Sequence, residues 1–259
     1  MKNSIVLLAF LLLIVSCKQE GPSKMEGAYS LTMQVLNDGA KDSSLDRGQL
    51  KIYTKNYFMY ASPNLTDSLA NFGVGQYKIE DGKVIEYGLY RSADGGEIND
   101  TLILAIEEKS GGYRQVIERI IVNGKSYKLT EEYDDVSDTA VTLLDGAWKQ
   151  VKNIYTRAAG DSSVNNNPLE YKVYQSGHFI WGITAPDSLN KKVSVYGYGT
   201  FAMLGSNKTK ETVRSSTFQT GLVGRTYEVD IELMGSDSYR QTITFANGDK
   251  STEIYQRLK

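Results

Sequence analysis

Gly146-Ala147-Trp148, just past the middle of the chain, and Glu253-Ile254-Tyr255-Gln256-Arg257, at its far end, decide how this sequence is read. Between them lie short runs of alternating apolar and polar residues, broken by turn residues and without a helical period. If Trp148 and Arg257 meet, everything between them closes into one sheet. Residues 226–233 form the clearest strand: Tyr227, Val229, Ile231 and Leu233 point one way, and Glu228, Asp230 and Glu232 the other. That alternation predicts a sheet with one buried and one wet face. Asn247-Gly248, between residues 242–245 and 252–255, predicts a hairpin with a type I′ turn, which needs positive φ at both central residues. Asp81-Gly82 and Asn123-Gly124 predict two more hairpins.

The first half carries the same plan. Gly27-Ala28-Tyr29 answers Gly146-Ala147-Trp148, and Leu50-Lys51-Ile52-Tyr53 answers Tyr171-Lys172-Val173-Tyr174. Tyr57-Phe58-Met59-Tyr60 answers His178-Phe179-Ile180-Trp181, and Tyr113-Arg114-Gln115 answers Tyr239-Arg240-Gln241. The matches keep one order and their offset drifts only from 119 to 126 residues, as when loops change length and strands do not. The acidic polar stretch at residues 134–142 marks the boundary, and each half predicts about eight strands. An eight-stranded meander removes its edges by closing, which leaves an interior for side chains or one small ligand.

Composition agrees. The chain has 259 residues, 41% of them hydrophobic, with 18 Tyr, 24 Gly and 4 Pro, a balance suited to pleated sheets with frequent turns. The net charge of −2 gives no basic surplus to favour nucleic acid. Residues 1–16 read as a targeting segment, with Lys2 before an apolar run from Ile5 to Val15 that is too short to span a bilayer comfortably. Cys17 is the sole cysteine, so the remaining chain has no internal disulfide and no other thiol for chemistry.

Two resemblances follow from these residues. Ile14-Val15-Ser16-Cys17 resembles a bacterial lipoprotein signal, which implies cleavage before Cys17, acylation of its thiol and a lipid anchor in the membrane. Lys18, where enteric lipoproteins retained at the inner membrane carry Asp, points to the outer membrane, facing the periplasm or the cell surface. Gly146-x-Trp148 with Arg257 resembles the lipocalin and fatty-acid-binding superfamily, and most closely the lipocalin-like domains of Bacteroidetes-type lipoproteins. The resemblance implies that Trp148 plugs the barrel bottom and that Arg257 lies across its ring, a contact of roughly 0.5–2 kcal/mol. The expected organisation is all-β: a signal peptide at 1–16, an acylated tether at 17–24, and two tandem lipocalin-like antiparallel up-and-down barrels at 25–138 and 143–259. The first half departs from the pattern. Tyr29 stands where Trp would be, and its last strand, Thr130-Glu131-Glu132-Tyr133-Asp134-Asp135, has no Arg. Either that half closes differently or it has lost the cap.

The chemistry is sparse. His178 is the sole histidine and reads as a half-exposed strand residue rather than a catalytic base. Common zinc, haem and iron–sulfur sites need more His or Cys than this, and neither a phosphate loop nor a nucleophile elbow is present. Glu131, Glu132, Asp134 and Asp135 read as a solvated acidic face, with a weak calcium site as the alternative. No cofactor, catalytic residue or metal ligand is expected. The positive signal is aromatic. Trp181, Tyr196, Tyr198, Phe201 and Tyr174 are the candidate ligand contacts, because barrel mouths lined by aromatic residues hold small molecules. Glycine between aromatics in Tyr196-Gly197-Tyr198-Gly199 predicts a bulge or a close approach to the backbone. The leading expectation is a membrane-anchored, non-catalytic lipoprotein that binds a small apolar or amphipathic molecule, or a glycan fragment, in a barrel mouth. The rival is a protein-interaction module with side-chain-filled barrels, and a carboxylate-based hydrolase comes third.

Overall fold

The computed structural model describes residues 22–62, 71–122 and 124–259. The expected acylation site, Cys17, lies outside them. Among the described residues nineteen strands run as β1 (Gly27–Asn37), β2 (Asp42–Ser44), β3 (Leu50–Tyr53), β4 (Tyr57–Ser62), β5 (Asn71–Glu80), β6 (Lys83–Arg91), β7 (Gly96–Glu97), β8 (Thr101–Lys109), β9 (Gly112–Val122), β10 (Lys125–Asp135), β11 (Gly146–Thr156), β12 (Ser162–Asn165), β13 (Leu169–Gln175), β14 (His178–Pro186), β15 (Lys192–Met203), β16 (Lys208–Ser216), β17 (Thr226–Leu233), β18 (Ser238–Thr244) and β19 (Lys250–Arg257). The only helical turns among the described residues are two short 3₁₀ pieces at Ser92–Asp94 and Thr220–Leu222.

Both halves close. In the first, β1-β3-β4-β5-β6-β8-β9-β10 form a ring that ends on β1, all pairs antiparallel. In the second, β11-β13-β14-β15-β16-β17-β18-β19 do the same. The protein is therefore two eight-stranded barrels in tandem, and the architecture fits a calycin-like double barrel. The first strand of each is bent by a bulge at the same place, between Leu31 and Met33 and between Gln150 and Lys152. The bend lets the beginning of that strand pair with β3 or β13 and its end with the short flap β2 or β12.

Turn chemistry explains the hairpins, with one correction. Asp81 (φ 50°) and Gly82 (φ 70°) both take positive φ between directly paired Glu80 and Lys83, a type I′ geometry. At Asn247-Gly248 only the glycine does (φ 86°). The connection is longer: Gly248 N–H donates to the Phe245 carbonyl and Phe245 N–H to that of Asp249. That is a type I turn followed by a left-handed Gly, which Asn247 favours by accepting from Asp249 N–H at 3.1 Å.

The barrels share a core. Ala28, Leu50, Ile52, Met59 and Phe72 on the outside of barrel 1 pack against Ala147, Tyr171, Val173, Ile180 and Tyr196 on the outside of barrel 2. These are matching positions in the two copies. Phe72 and Tyr196, which answer each other in the repeat, meet with ring centroids 5.4 Å apart. The contact is therefore isologous in form, as in a two-fold dimer joined into one chain. Tyr90 and Thr184 hydrogen-bond across it, and Phe72 lies over Gly182, where a Cβ would come within 2.6 Å of its ring. Strand β3 is buried at all four positions because one face looks into its barrel and the other into the neighbour.

Candidate functional site

Each barrel interior is layered. At the closed end sits an aromatic floor. In barrel 2 the Trp148 ring meets Tyr239 edge-on at 4.8 Å, and Tyr239 stacks on Tyr255 at 4.8 Å. In barrel 1 Tyr29 meets Tyr113 edge-on at 4.9 Å, and Tyr113 stacks on Tyr133 at 4.9 Å. Under the floor of barrel 2 the Arg257 guanidinium lies 4.0 Å from the Trp148 ring centroid. It donates to the carbonyls of Asp145 (2.6 Å), Leu143 (3.1 Å) and Ser236 (3.1 Å), while Trp148 Nε1 donates to the Leu144 carbonyl at 2.8 Å. Gly146, at φ 139°, leaves room for that cation: a Cβ there would stand 2.0 Å from Arg257 Nη1. Trp148 and Arg257 are register partners. In barrel 1 the equivalent partners are Tyr29 and Asp135. Burial and then the Asp135 charge push the Tyr29 hydroxyl up to about 12. Barrel 1 closes instead through its backbone and Ser137, whose Oγ accepts from Ala28 N–H at 2.9 Å while Val136 N–H donates to the Ala28 carbonyl at 2.9 Å.

Above each floor lies a buried polar layer built on the same positions. Lys51 Nζ pairs with Glu86 at 2.7 Å, and Tyr53 donates to the same carboxylate at 2.5 Å. Lys172 Nζ pairs with Glu211 at 3.0 Å, and Tyr174 donates to it at 2.6 Å. Gln115 and Gln241 donate to Glu131 and Glu253 respectively. The layers differ most in charge at one position, and Gln150, which donates to Glu170 at 2.7 Å, stands where barrel 1 has Leu31. Gln49 donates to the Tyr133 hydroxyl, which in turn donates to Glu131 at 3.0 Å. Its counterpart in barrel 2 is an acid, Glu170, so Tyr255 Oη lies 2.6 Å from Glu170 and 2.9 Å from Glu253. One hydroxyl proton cannot serve both carboxylates, so one of them must carry a proton to donate back. Burial and the neighbouring Glu253 charge raise Glu170 to about 8. Burial also raises Glu253 and Glu131 above the usual carboxylate range.

The expectation of a solvated acidic face at Glu131–Asp135 is corrected. Strand alternation continues through Asp135, so Glu131 and Tyr133 point into barrel 1 and are buried. Glu132 faces outward and pairs with Lys109 at 2.6 Å, and Asp134 and Asp135 are exposed, so the carboxylates do not converge on one cation.

The polar layer of barrel 1 opens into a cavity of about 580 Å³. Its floor is Lys51, Glu86, Gln34, Gln115 and Glu131, its walls include Leu36, Leu102, Ile117 and Leu129, and its rim carries Arg47, Arg91 and Arg119. At the same end of barrel 2, Tyr155 holds Asp249 at 2.5 Å and its ring meets Phe245 at 6.1 Å. These aromatics replace Leu36 and Arg119 of barrel 1.

Of the five aromatic candidates, the structure turns three toward the barrel 2 interior and two away. Tyr174 and Phe201 belong to the packed floor, 4.7 Å apart, and Trp181 packs above them, half-buried, with Phe218 at 6.4 Å. Tyr196 and Tyr198 face barrel 1. The close approach at Gly199 is internal: a Cβ would stand 2.0 Å from the Thr212 carbonyl, at a bulge after Tyr198. His178 is half-buried, with Nδ1 3.0 Å from the Ser176 carbonyl. Sequence reasoning missed Gln34, Lys51, Glu86, Gln115 and Arg119. One signal was available: the repeat carries Trp181 onto Tyr60, which lines the barrel 1 cavity.

Residues 143–259, which span barrel 2, match the model of DUF4488, a domain of unknown function. No curated protein matches the chain. Among solved structures, it is similar to the crystal structure of a protein with unknown function from the DUF3598 family of Nostoc punctiforme. That likeness has 9% identity, covers 90% of this chain and 96% of that chain, and has a TM-score of 0.25.

Proposed function

We propose that this chain is a non-catalytic binding protein that holds one small amphipathic molecule inside barrel 1. The observation that carries the reading is the cavity of about 580 Å³, within the size range of small-molecule sites and mixed in its lining. Barrel 2 serves as the packed support, its aromatic floor capped by Arg257. The site belongs to barrel 1 and not to the aromatic positions first favoured in barrel 2, because Tyr174 and Phe201 there are packed against one another. The test is native mass spectrometry of protein purified from its own host. A small molecule should accompany the wild type and be lost from Ile117→Trp, which fills the cavity. Protein that carries nothing in either form counts against the reading.

In this reading the protein is a lipocalin-like lipoprotein of the Bacteroidetes type, acylated at Cys17 and held at the outer membrane. Support comes from the Ile14-Val15-Ser16-Cys17 sequence and from Lys18. Acyl chains contribute about 0.8 kcal/mol per buried CH₂, so several together anchor a soluble domain. Cys17→Ser should move the protein to the soluble fraction. Retention of that variant at the membrane would refute the anchor.

A further inference from the structure

The barrel 1 cavity is chemically graded from floor to rim. At the floor, the donors face inward on one another. Gln34 and Gln115 donate to Glu131, Lys51 to Glu86, and Gln49 to Tyr133. What remains for a ligand is acceptors. Gln34 Oε1 has no hydrogen-bond partner and is closed off within the cavity, so a ligand hydroxyl satisfies it once the side chain turns. Glu86 and Glu131 together outnumber the single cation Lys51. Such a floor attracts hydroxyl donors and repels a ligand carboxylate, because charges interact strongly where water is excluded. The rim has the opposite sense. Arg91 is held by Asp94 (2.9 Å) and Asp100 (2.5 Å), whereas Arg119 is exposed and has no ion pair among the described residues. At the matching place in barrel 2 stands Phe245, so the cation is particular to the barrel with the cavity.

Resting on the binding role proposed above, we infer that the ligand is a small acidic saccharide. Its hydroxyls enter first and donate to Gln34 Oε1 and the floor carboxylates. Its apolar ring faces lie on Ile117, Leu129 and Tyr60. Its carboxylate stays at the rim beside Arg119. A fatty acid fits neither way round: head-first it brings an anion to Glu86 and Glu131, and tail-first it lays methylenes on the ionic layer of Lys51, Glu86 and Glu131.

The test is calorimetric titration of the mature full-length chain with three probes: cellobiouronic acid, cellobiose, which lacks only the carboxylate, and dodecanoate. The acidic disaccharide should bind about tenfold more tightly than the neutral one. Arg119→Ala should abolish that advantage without weakening cellobiose. Gln34→Leu should weaken both sugars, again about tenfold. Ile117→Trp should block all binding. If it disturbs folding, as circular dichroism would report, Val122→Trp at the rim serves in its place. Dodecanoate that binds in preference and is expelled by the blocking variants overturns the saccharide inference and leaves the binding role standing. Binding of the acidic sugar that ignores both Arg119→Ala and Gln34→Leu also overturns it. If no probe binds and host-purified protein is empty as well, the inference and the binding role fall together.

Discussion

Barrels 1 and 2 are the same object built twice, and their differences are concentrated at three levels of the interior. At the bottom, barrel 2 has Trp148 capped by Arg257 where barrel 1 has Tyr29 beside Asp135. In the middle, barrel 2 holds the acid Glu170 where barrel 1 holds the amide Gln49. At the top, Tyr155 and Phe245 meet in barrel 2 where Leu36 and Arg119 line a cavity in barrel 1. The strongly capped copy carries aromatic side chains at its open end, and the copy with the weaker floor lines a cavity there. A fused pair allows this division, because packing in one barrel supports the other through the shared core.

The largest expected effect tests that support. Phe72→Ala and Tyr196→Ala each remove an aromatic side chain buried between the barrels, at a cost of about 3–5 kcal/mol. The two rings touch, so the double variant should cost less than the sum. Both tryptophans, Trp148 and Trp181, lie in barrel 2, so their fluorescence follows that barrel alone, while far-ultraviolet circular dichroism follows both. The wild type should unfold in urea with coincident curves, and either alanine variant should separate them. Curves that stay together at an unchanged midpoint would show that the shared core does not couple the copies.

Next in size is the buried lysine. Lys172→Met leaves Glu211 without its partner beside Glu170 and Glu253, and should cost about 3–5 kcal/mol at neutral pH. Lys51→Met leaves Glu86, buried at least as deeply as Glu211, beside Glu131, and should cost a similar amount, about 3–5 kcal/mol. A much smaller loss in denaturant titrations would mean that the cavity hydrates the barrel 1 layer.

Much of the frame was legible in the sequence, and the reasons are local. Period-two alternation at residues 226–233 gave the strand, since Val229 and Ile231 are buried and Glu228, Asp230 and Glu232 exposed. The repeat placed Lys51 and Lys172 on matching strands, though not inside the barrels. The shared core was harder to read. Leu50-Lys51-Ile52-Tyr53 and Tyr57-Phe58-Met59 carry bulky side chains on both faces, but one strand does not say which face meets the other copy. Tyr196 and Tyr198 looked like cavity walls for that reason, and they lie on the outer face. Glu131 looked solvated because acidic neighbours surround it in sequence, while the pleat separates it from them in space. The cavity itself has no sequence signature, since it depends on which side chains fail to meet.

The acid in the middle layer gives the third comparison. Glu170 stands at about 8 in the folded protein against an ordinary 4.5. Between those values the folded chain holds a proton that the unfolded chain has released, so this group makes stability fall as pH rises from 4.5 toward 8. Glu170→Gln copies the Gln49 arrangement of barrel 1 and removes the slope. It should leave stability near pH 5 almost unchanged and raise it by about 1–3 kcal/mol at pH 8–9. Thermal unfolding followed by tryptophan fluorescence across pH 5–9 is the measurement. A variant whose pH profile parallels the wild type would place the extra proton elsewhere in the layer.

The smallest effect concerns the floor. Arg257 combines a cation over the Trp148 face with three donations to carbonyls, so Arg257→Ala should destabilise barrel 2 by about 1–2 kcal/mol. Arg257→Lys keeps the charge but loses the planar fork that reaches the carbonyls of Asp145 and Leu143 together, and should recover less than half of the loss. The reciprocal change in barrel 1, Asp135→Arg, places a guanidinium at the position across from Tyr29 and removes a charge that opposes ionisation of its hydroxyl. A phenol ring attracts a cation less than an indole does, so the gain should stay below about 0.5–1 kcal/mol. Should Asp135→Arg stabilise as much as Arg257→Ala destabilises, the indole would have no special part in closure, and the difference between the two floors would reduce to charge alone.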